Sequence, residues 1–215
     1  MPKHILIENE TFEGAVLTEE ERRHHKRNNI DGNAYGLLDA HYRHYRRCTF
    51  LANDVAEGFK LSHCSNIILE ECNIIGGYED CLDVVNSHDI AVIRPRLYIR
   101  GWYAATIKGY SNRINIDSAL IYGTPNHGAI FDLGNHTIYY HQGHPYTRYI
   151  RIANTRQIEG SARCLVRSWR SRSIELHNNE GSWSKECCSM PWIVWWPWFF
   201  WNELPYYVGI KSRRV

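Results

Sequence analysis

Residues 59–92 read FKLSHCSNIILEECNIIGGYEDCLDVVNSHDIAV, and the fold follows from the spacing of apolar residues within this stretch. The stretch contains five short apolar alternations, and the last two repeat the first two. In order they are Phe59-x-Leu61, Ile67-x-Leu69, Cys72-x-Ile74, Leu82-x-Val84 and Ile90-x-Val92. The first two alternations therefore recur after 23 residues. Period-2 alternation is typical of β-strands, and three strands in about 24 residues leave no room for interleaved helices.

The same alternation continues along the chain on both sides of this stretch. One column of isoleucines has steps of 23, 24, 36 and 24 residues along Ile67, Ile90, Ile114, Ile150 and Ile174. The long step is one repeat plus twelve residues, and we place this insertion in the His-, Gly- and Pro-rich segment Asn135–Thr147. Such a repeat predicts a parallel β-helix, whose successive coils stack about 4.8 Å apart.

The repeat also predicts what lies inside the stack and where the stack ends. Cys48 is expected above Cys72 as a buried thiol, beside an inward column of Phe50, Ile74, Ile99 and Ile121. We divide the chain into a polar N-terminal arm (1–33), a parallel β-helix of about six coils (34–182) and an aromatic C-terminal arm or cap (183–215).

The coil pattern and the segment Gly77–Ile90, GYEDCLDVVNSHDI, resemble the pectin-lyase-like right-handed parallel β-helix superfamily. The resemblance extends over residues 35–182 and implies an all-β fold, a single-stranded right-handed parallel β-helix. The superfamily contains polysaccharide-cleaving enzymes as well as non-catalytic viral spikes and capsid attachments. Because one fold serves both classes, function has to be argued from side chains.

Glu79-Asp80-Cys81 is similar to the Asp-Asp-Cys segment of polygalacturonase-type glycosidases, in which paired carboxylates perform acid–base chemistry. By this resemblance the candidate catalytic residues are Asp80, Asp83 and His127. The upstream Asn-Thr-Asp motif of those enzymes is missing, and His127 follows Asp80 by 47 residues, about two coils instead of one. We therefore expect no catalytic site, and we expect neither a cofactor nor a metal.

Asp83 also has a structural interpretation. Outward positions of one strand family form a column of alternating charge, made of Lys60, Asp83, Lys108, Asp132 and Arg167. Cross-strand ion pairs of this kind stabilise neighbouring strands, by about 0.2–1 kcal/mol for each exposed pair. We expect this charge ladder to hold the coils together and the carboxylates to face lysines, not an open cleft.

An aromatic segment, MPWIVWWPWFFW, occupies residues 190–201. It is shorter than the roughly 20 residues of a membrane-spanning helix and contains two prolines, so it is not expected to span a membrane, and a membrane is the least favoured of its partners. An apolar segment of this size marks an interface, so it either caps the last coil, docks on a partner subunit or lies on a membrane surface. The predicted partner-binding residues are Trp192, Trp195, Trp196, Trp198, Phe199, Phe200, Trp201, Tyr206 and Tyr207.

The composition limits the function classes. A hydrophobic fraction of 44% and a charged fraction of 22% are ordinary for a globular chain. A net charge of +2 without a binding motif argues against nucleic acid as a partner. Seven irregularly spaced cysteines and the absence of a signal peptide favour folding in a reducing cytoplasm.

These observations predict a non-enzymatic structural protein of a virion, a bacteriophage capsid decoration (cement) protein or a spike, assembled in the host cytoplasm. Its expected partners are other virion proteins such as the major capsid protein, further copies of itself in a homo-oligomer, and a surface glycan. One alternative is a small polysaccharide lyase or hydrolase, such as a tailspike-like depolymerase. Another is a carbohydrate-binding adhesion module that uses aromatic side chains such as Trp102, Tyr103 and Tyr110.

Overall fold

The computed structural model describes residues 3–28, 32–134, 147–168 and 171–189. The described part contains one helix, α1, and twenty short strands. In chain order they begin with β1 Ile5–Glu8, β2 Thr11–Glu13, α1 Glu19–Asn28, β3 Asn33–Leu38, β4 His41–Arg46, β5 Thr49–Leu51, β6 Glu57–Ser62, β7 Ser65–Glu70, β8 Asn73–Ile75, β9 Asp80–Val85 and β10 His88–Ile93. They continue with β11 Arg96–Tyr98, β12 Tyr103–Lys108, β13 Asn112–Asp117, β14 Leu120–Tyr122, β15 Ala129–Leu133, β16 Thr147–Ala153, β17 Arg156–Gln157, β18 Ala162–Ser168, β19 Ser171–His177 and β20 Trp183–Ser189.

The strands form three parallel sheets that the chain visits in turn. Sheet A has the order β1-β4-β7-β10-β13-β16-β19, sheet B the order β2-β5-β8-β11-β14-β17, and sheet C the order β3-β6-β9-β12-β15-β18-β20. Each return to sheet A places a strand beside the one from the preceding coil, so the fold is a parallel β-helix. Six full turns separate β1 from β19, which confirms the predicted fold class and its coil number.

The isoleucine column of sheet A is confirmed at every step. Ile67 pairs with Ile90, Ile90 with Ile114, Ile114 with Ile150, and Ile150 with Ile174. The 36-residue interval is therefore still a single step between neighbouring strands, β13 and β16. The described residues stop at 134 and resume at 147, so the predicted insertion itself lies almost entirely outside them.

The predicted column of sheet B is wrong at one position. Phe50, Ile74 and Ile121 align, but the residue between the last two is Leu97 instead of Ile99. Pro95 occupies the corner that Cys72 occupies in the preceding coil, because Arg96 N–H donates to the Cys72 carbonyl and Leu120 N–H to that of Pro95. The sequence pattern missed this because an apolar-x-apolar search starts at Leu97 and skips the proline.

The core is a stack of apolar side chains enclosed by the three sheets. Its N-terminal half is aromatic, with Phe50 and Phe59 stacked at 4.4 Å and Phe12 stacked on Phe50 at 5.1 Å. Cys48 and Cys72 are buried and unpaired, and their thiols contact backbone carbonyls. Burial raises the pKa of the Cys72 thiol to about 12, so it packs as a neutral apolar group.

Between sheets A and B every coil bends at one residue with a left-handed backbone. These residues have φ values from 50 to 58° and form the column Asn9, Arg47, Glu71, Arg94, Ser118, Asn154 and Asn178. The N–H groups of the first six continue the hydrogen-bonded stack; that of Arg94, for example, donates to the Asp117 carbonyl at 2.8 Å. A left-handed residue costs about 1–2 kcal/mol unless it is Gly, or sometimes Asn or Asp. We call this series the left-handed column.

The N-terminal boundary of the β-helix differs from the predicted one. β1 and β2 pair with β4 and β5, so residues 5–13 already belong to the first coil and are not part of an arm. Helix α1 lies between β2 and β3. It begins with a capping box, in which the Thr18 N–H donates to Glu21 Oε2 at 2.8 Å and the Glu21 N–H to Thr18 Oγ1 at 3.3 Å.

The C-terminal boundary differs as well. β20 pairs with β18 in sheet C, so Trp183–Ser189 belongs to the last coil and not to the predicted arm. The rest of that predicted arm, residues 190–215, lies outside the described residues.

Candidate functional site

The outer face of sheet C carries the candidate catalytic carboxylates and the predicted charge ladder. Register places Lys60 beside Asp83, Asp83 beside Thr106, Thr106 beside Asp132, and Asp132 beside Arg167. The prediction of Lys108 in this column is therefore wrong, because Lys108 aligns with Val85, two residues further on. The steps of 23 to 25 residues could not distinguish Thr106 from Lys108.

Lys108 nevertheless reaches the predicted partner. Its Nζ lies 3.1 Å from Asp83 Oδ2, and Lys60 Nζ lies 3.2 Å from the same oxygen. These contacts are ion pairs and not aligned hydrogen bonds. Burial alone lowers the pKa of Lys108, but the charges of Asp83 and Asp80 outweigh burial and raise it. A flexible four-carbon stem allows an ammonium group to bridge a two-residue offset.

The ladder was expected to be exposed, and this expectation is wrong. The side chains of Asp83 and Asp132 are 0% exposed, and those of Lys60 and Arg167 are 20% exposed. Arg167 Nε lies 2.8 Å from Asp132 Oδ1, so each buried carboxylate has a cation. Lys60 also pairs with buried Glu57 at 3.1 Å. The relevant energetics are those of buried ion pairs, in which removal of one partner is costly.

Asp80 lies beside this ladder and differs from it electrostatically. Burial raises its pKa well above the usual value, the negative charge of Asp83 adds to the rise, and the nearby Thr106 hydroxyl and Lys108 charge oppose it. Asp80 Oδ1 is buried without a hydrogen-bond partner in the described part of the chain. A carboxyl group whose pKa is raised, next to a second carboxyl group that contacts cations, is the composition of a general acid–base pair.

His127 is not brought to Asp80 and Asp83. It precedes β15, two strands beyond β9, and its ring contacts those of Trp102 at 5.4 Å and Tyr103 at 5.7 Å. Burial lowers the pKa of His127, the charge of Arg167 lowers it further, and that of Asp132 raises it. The histidine therefore belongs to the Asp132–Arg167 end of the site.

Tyr103 is a site residue that sequence analysis did not assign to this charged site. The Arg167 guanidinium lies 4.9 Å from the centre of its ring and also donates to its hydroxyl. Tyr103 is 3% exposed, so it is not the open carbohydrate platform that was suggested.

The start of β6 departs from regular strand geometry. A regular strand would turn residues three apart to opposite faces. The Glu57–Lys60 contact shows that the start of β6 is not regular in this sense, which sequence alternation could not reveal.

The whole site is closed. Glu57, Asp80, Asp83, Thr106 and Asp132 each retain at most 3% of their accessible surface. A sugar ring cannot contact these groups in this conformation. Within the described segments no cluster of three or more His, Cys, Asp or Glu side chains is arranged to hold a metal ion. What the arrangement does in the described state is to neutralise buried charge between adjacent coils.

The predicted partner-binding aromatic residues, from Trp192 to Tyr207, lie outside the described residues. In the part of the chain that is described, no helix combines the length and apolarity that a membrane crossing requires. No protein-family model matches the chain, and a comparison with curated proteins finds no significant similarity.

Proposed function

We propose that the chain is a non-enzymatic structural protein of a virion, a phage capsid decoration or spike protein. The observation that carries this proposal is the closed charge ladder of sheet C. The carboxylates of Asp83 and Asp132 are fully buried and paired with cations from adjacent strands, so they stabilise the stack and face no cleft. The resemblance to a superfamily with non-catalytic viral members connects this fold to a virion.

In this proposal the β-helix is a rigid body and the aromatic C-terminal segment makes the assembly contacts. Its partners are other virion proteins, such as the major capsid protein, and further copies of the chain in a homo-oligomer. Trp and Tyr dominate interface hot spots, and five tryptophans between residues 192 and 201 are a high density of such side chains. Assembly takes place in the host cytoplasm, in keeping with seven cysteines that are all unpaired.

Truncation after Ser189 tests the assembly role. We expect the shortened chain to fold, shown by an unchanged circular dichroism spectrum and melting curve, and to lose self-association or capsid binding in sedimentation experiments. A matched control replaces only Trp195, Trp196 and Trp198 by serine and should lose the same contacts. A truncated chain that assembles like the full chain contradicts the proposal. Unfolding of the truncated chain assigns the segment to capping the last coil instead.

A polysaccharide hydrolase is the second candidate, and the Asp80–Asp83 pair is the observation that favours it. A raised pKa on Asp80 beside the cation-paired carboxylate of Asp83 would suit an acid and a base if the face opened. The test is turnover of a panel of neutral and acidic polysaccharides by the full chain and by Asp80→Asn. We expect no turnover by either protein. Cleavage that disappears in Asp80→Asn would overturn the structural role.

A further inference from the structure

A groove of about 510 Å³ runs along the outside of the corner between sheets A and B. Its lining includes Arg47, Glu71, Asn73, Arg94, Arg96 and Leu120. These residues come from four consecutive coils, so the groove follows the axis of the β-helix over three strand spacings, about 14 Å. It lies on a different face from the charge ladder of sheet C and shares no residue with it.

The left-handed column changes its composition at this groove. Outside the groove its members are Asn9, Asn154 and Asn178, and asparagine is among the few residues that adopt this conformation readily. Within the groove the same positions hold Arg47, Glu71, Arg94 and Ser118, with φ values of 54, 54, 50 and 57°. Three of these positions carry long charged side chains in a left-handed conformation that is unfavourable for them. Backbone strain of this kind concentrates at binding sites.

The arginines keep hydrogen-bond donors for a ligand. The Arg96 side chain is exposed, and its guanidinium has no ion pair or hydrogen bond to any residue in the described ranges. Arg94 uses Nε for Glu71 at 3.1 Å and Nη2 for Glu70 at 2.8 Å, which leaves Nη1 available. Arg47 uses Nη2 for Glu8 at 3.3 Å. A guanidinium has five N–H donors in a planar fork that matches a carboxylate.

Glu71 restricts what can occupy the groove. Its side chain is 44% exposed, so a ligand with a charge on every unit meets a fixed negative charge in the middle of its path. A protein segment in which acidic residues alternate with neutral ones avoids this repulsion. Asn73 can bond a peptide backbone, and Leu120 offers an apolar contact, as a peptide ligand requires.

We propose that this groove binds an extended acidic segment of a partner protein, with carboxylates on Arg47, Arg94 and Arg96. The inference rests on the proposed function only in taking the partner to be a protein. In an extended peptide, side chains on one face repeat about every 6–7 Å, so two or three carboxylates fit within the length of the groove.

The test measures fluorescence anisotropy of a labelled peptide of alternating glutamate and serine on the full-length chain. We expect binding at low ionic strength that is lost in about 0.5 M salt, because salt screens the attraction between exposed charges. Arg96→Glu should weaken the affinity at least about tenfold, the loss of one charge-assisted pair. The control Arg100→Glu makes the same charge change at an exposed residue outside the groove and should weaken it less than about twofold.

Equal weakening by the two variants, or equal binding of a peptide with glutamine in place of glutamate, overturns the inference. Tighter, Arg96-dependent binding of polygalacturonate than of the peptide overturns the choice of a protein partner. Polysaccharide turnover would defeat the proposed function while leaving peptide binding at the groove intact. The two failures are therefore distinguishable.

Discussion

Asp83 is a buried carboxylate that lies between the ammonium groups of Lys60 and Lys108. Taking one such ion out of water costs several kcal/mol, and the attraction to two cations offsets that cost only while all three charges are present. The arrangement is therefore sensitive to the loss of the central charge. An exposed ion pair such as Arg156–Glu180, at 3.5 Å, is not sensitive in this way.

Replacement of Asp83 by Asn should lower the free energy of unfolding by about 3–5 kcal/mol, because two partly buried lysines lose their counter-charge. Urea denaturation followed by circular dichroism measures the change. The matched control Glu180→Gln removes a carboxylate from an exposed pair and should change it by less than about 1 kcal/mol. Similar effects of the two substitutions would show that the ladder is not a buried electrostatic unit.

Asp80 gives the stability a pH dependence of the opposite sign to that of an ordinary paired carboxylate. Because its folded pKa is raised, the folded state binds more protons than the unfolded state above the usual pKa of 3.8. Its contribution is complete below that pH and is lost as the pH rises through the folded pKa. Asp80→Asn should therefore flatten the fall in stability between pH 4 and pH 8 and stabilise the protein at pH 8. A steeper fall in the variant would contradict this assignment.

At the residue scale the sequence predicted which cations approach Asp83 but not how deeply the group is buried. The alternating charges of Lys60 and Asp83 can be read from the repeat. The buried arrangement also includes the Arg167–Tyr103 contact at the Asp132 end of the ladder and the irregular strand start that brings Glu57 to Lys60. Neither of these features has a period in the sequence.

At the scale of single elements, strands and corners follow different rules. The strands are specified by apolar periodicity, whereas the corners depend on single residues with a left-handed backbone. A second set of such residues lies near the start of the sheet A strands, at Tyr42, Asn66, Asp89, Arg113, Tyr149 and Ser173. A bulky side chain such as that of Tyr149 is unfavourable in this conformation.

Tyr149→Gly should raise the free energy of unfolding by about 0.5–1 kcal/mol. Relief of the left-handed strain, about 1–2 kcal/mol, exceeds the entropic penalty of an added glycine. The Tyr149 side chain is 57% exposed and therefore contributes little packing. The control Arg148→Gly removes the same Arg148–Tyr149 contact at a position without a positive φ and should destabilise the protein. Thermal melting compares the two, and equal destabilisation would rule out strain at this position.

The strands that could be predicted are those within the regular repeat. The inward columns of sheets A and C follow from steps near 24 residues, for example Phe59, Leu82 and Ala105 in sheet C. Ile5 and its partner Arg43, however, are 38 residues apart because α1 intervenes. The first coil was therefore assigned to an arm. In sheet B the proline at position 95 hid the alignment of Leu97. In both cases the sequence repeat is interrupted, once by an inserted helix and once by a proline, although the pairing of the strands continues.

For the whole molecule, the parallel stack holds its cysteines as free thiols. All seven cysteines are unpaired, and five of them are buried. We expect a thiol count of seven on denatured protein that has not been reduced. Mass spectrometry after alkylation gives this number, and treatment with a reductant before alkylation serves as the control. A deficit of two in the unreduced sample would show that a pair of cysteines is oxidised.

The 36-residue step between Ile114 and Ile150 shows that extra chain can enter at one corner without shifting any column. Doubling a loop raises its closure penalty by only about 0.6 kcal/mol, far less than the loss of one register step between two buried strands. The corner between residues 134 and 147 is therefore an attachment point for foreign sequence. We expect a display peptide, a tag or a small folded module grafted between these residues to leave each coil paired with its neighbours.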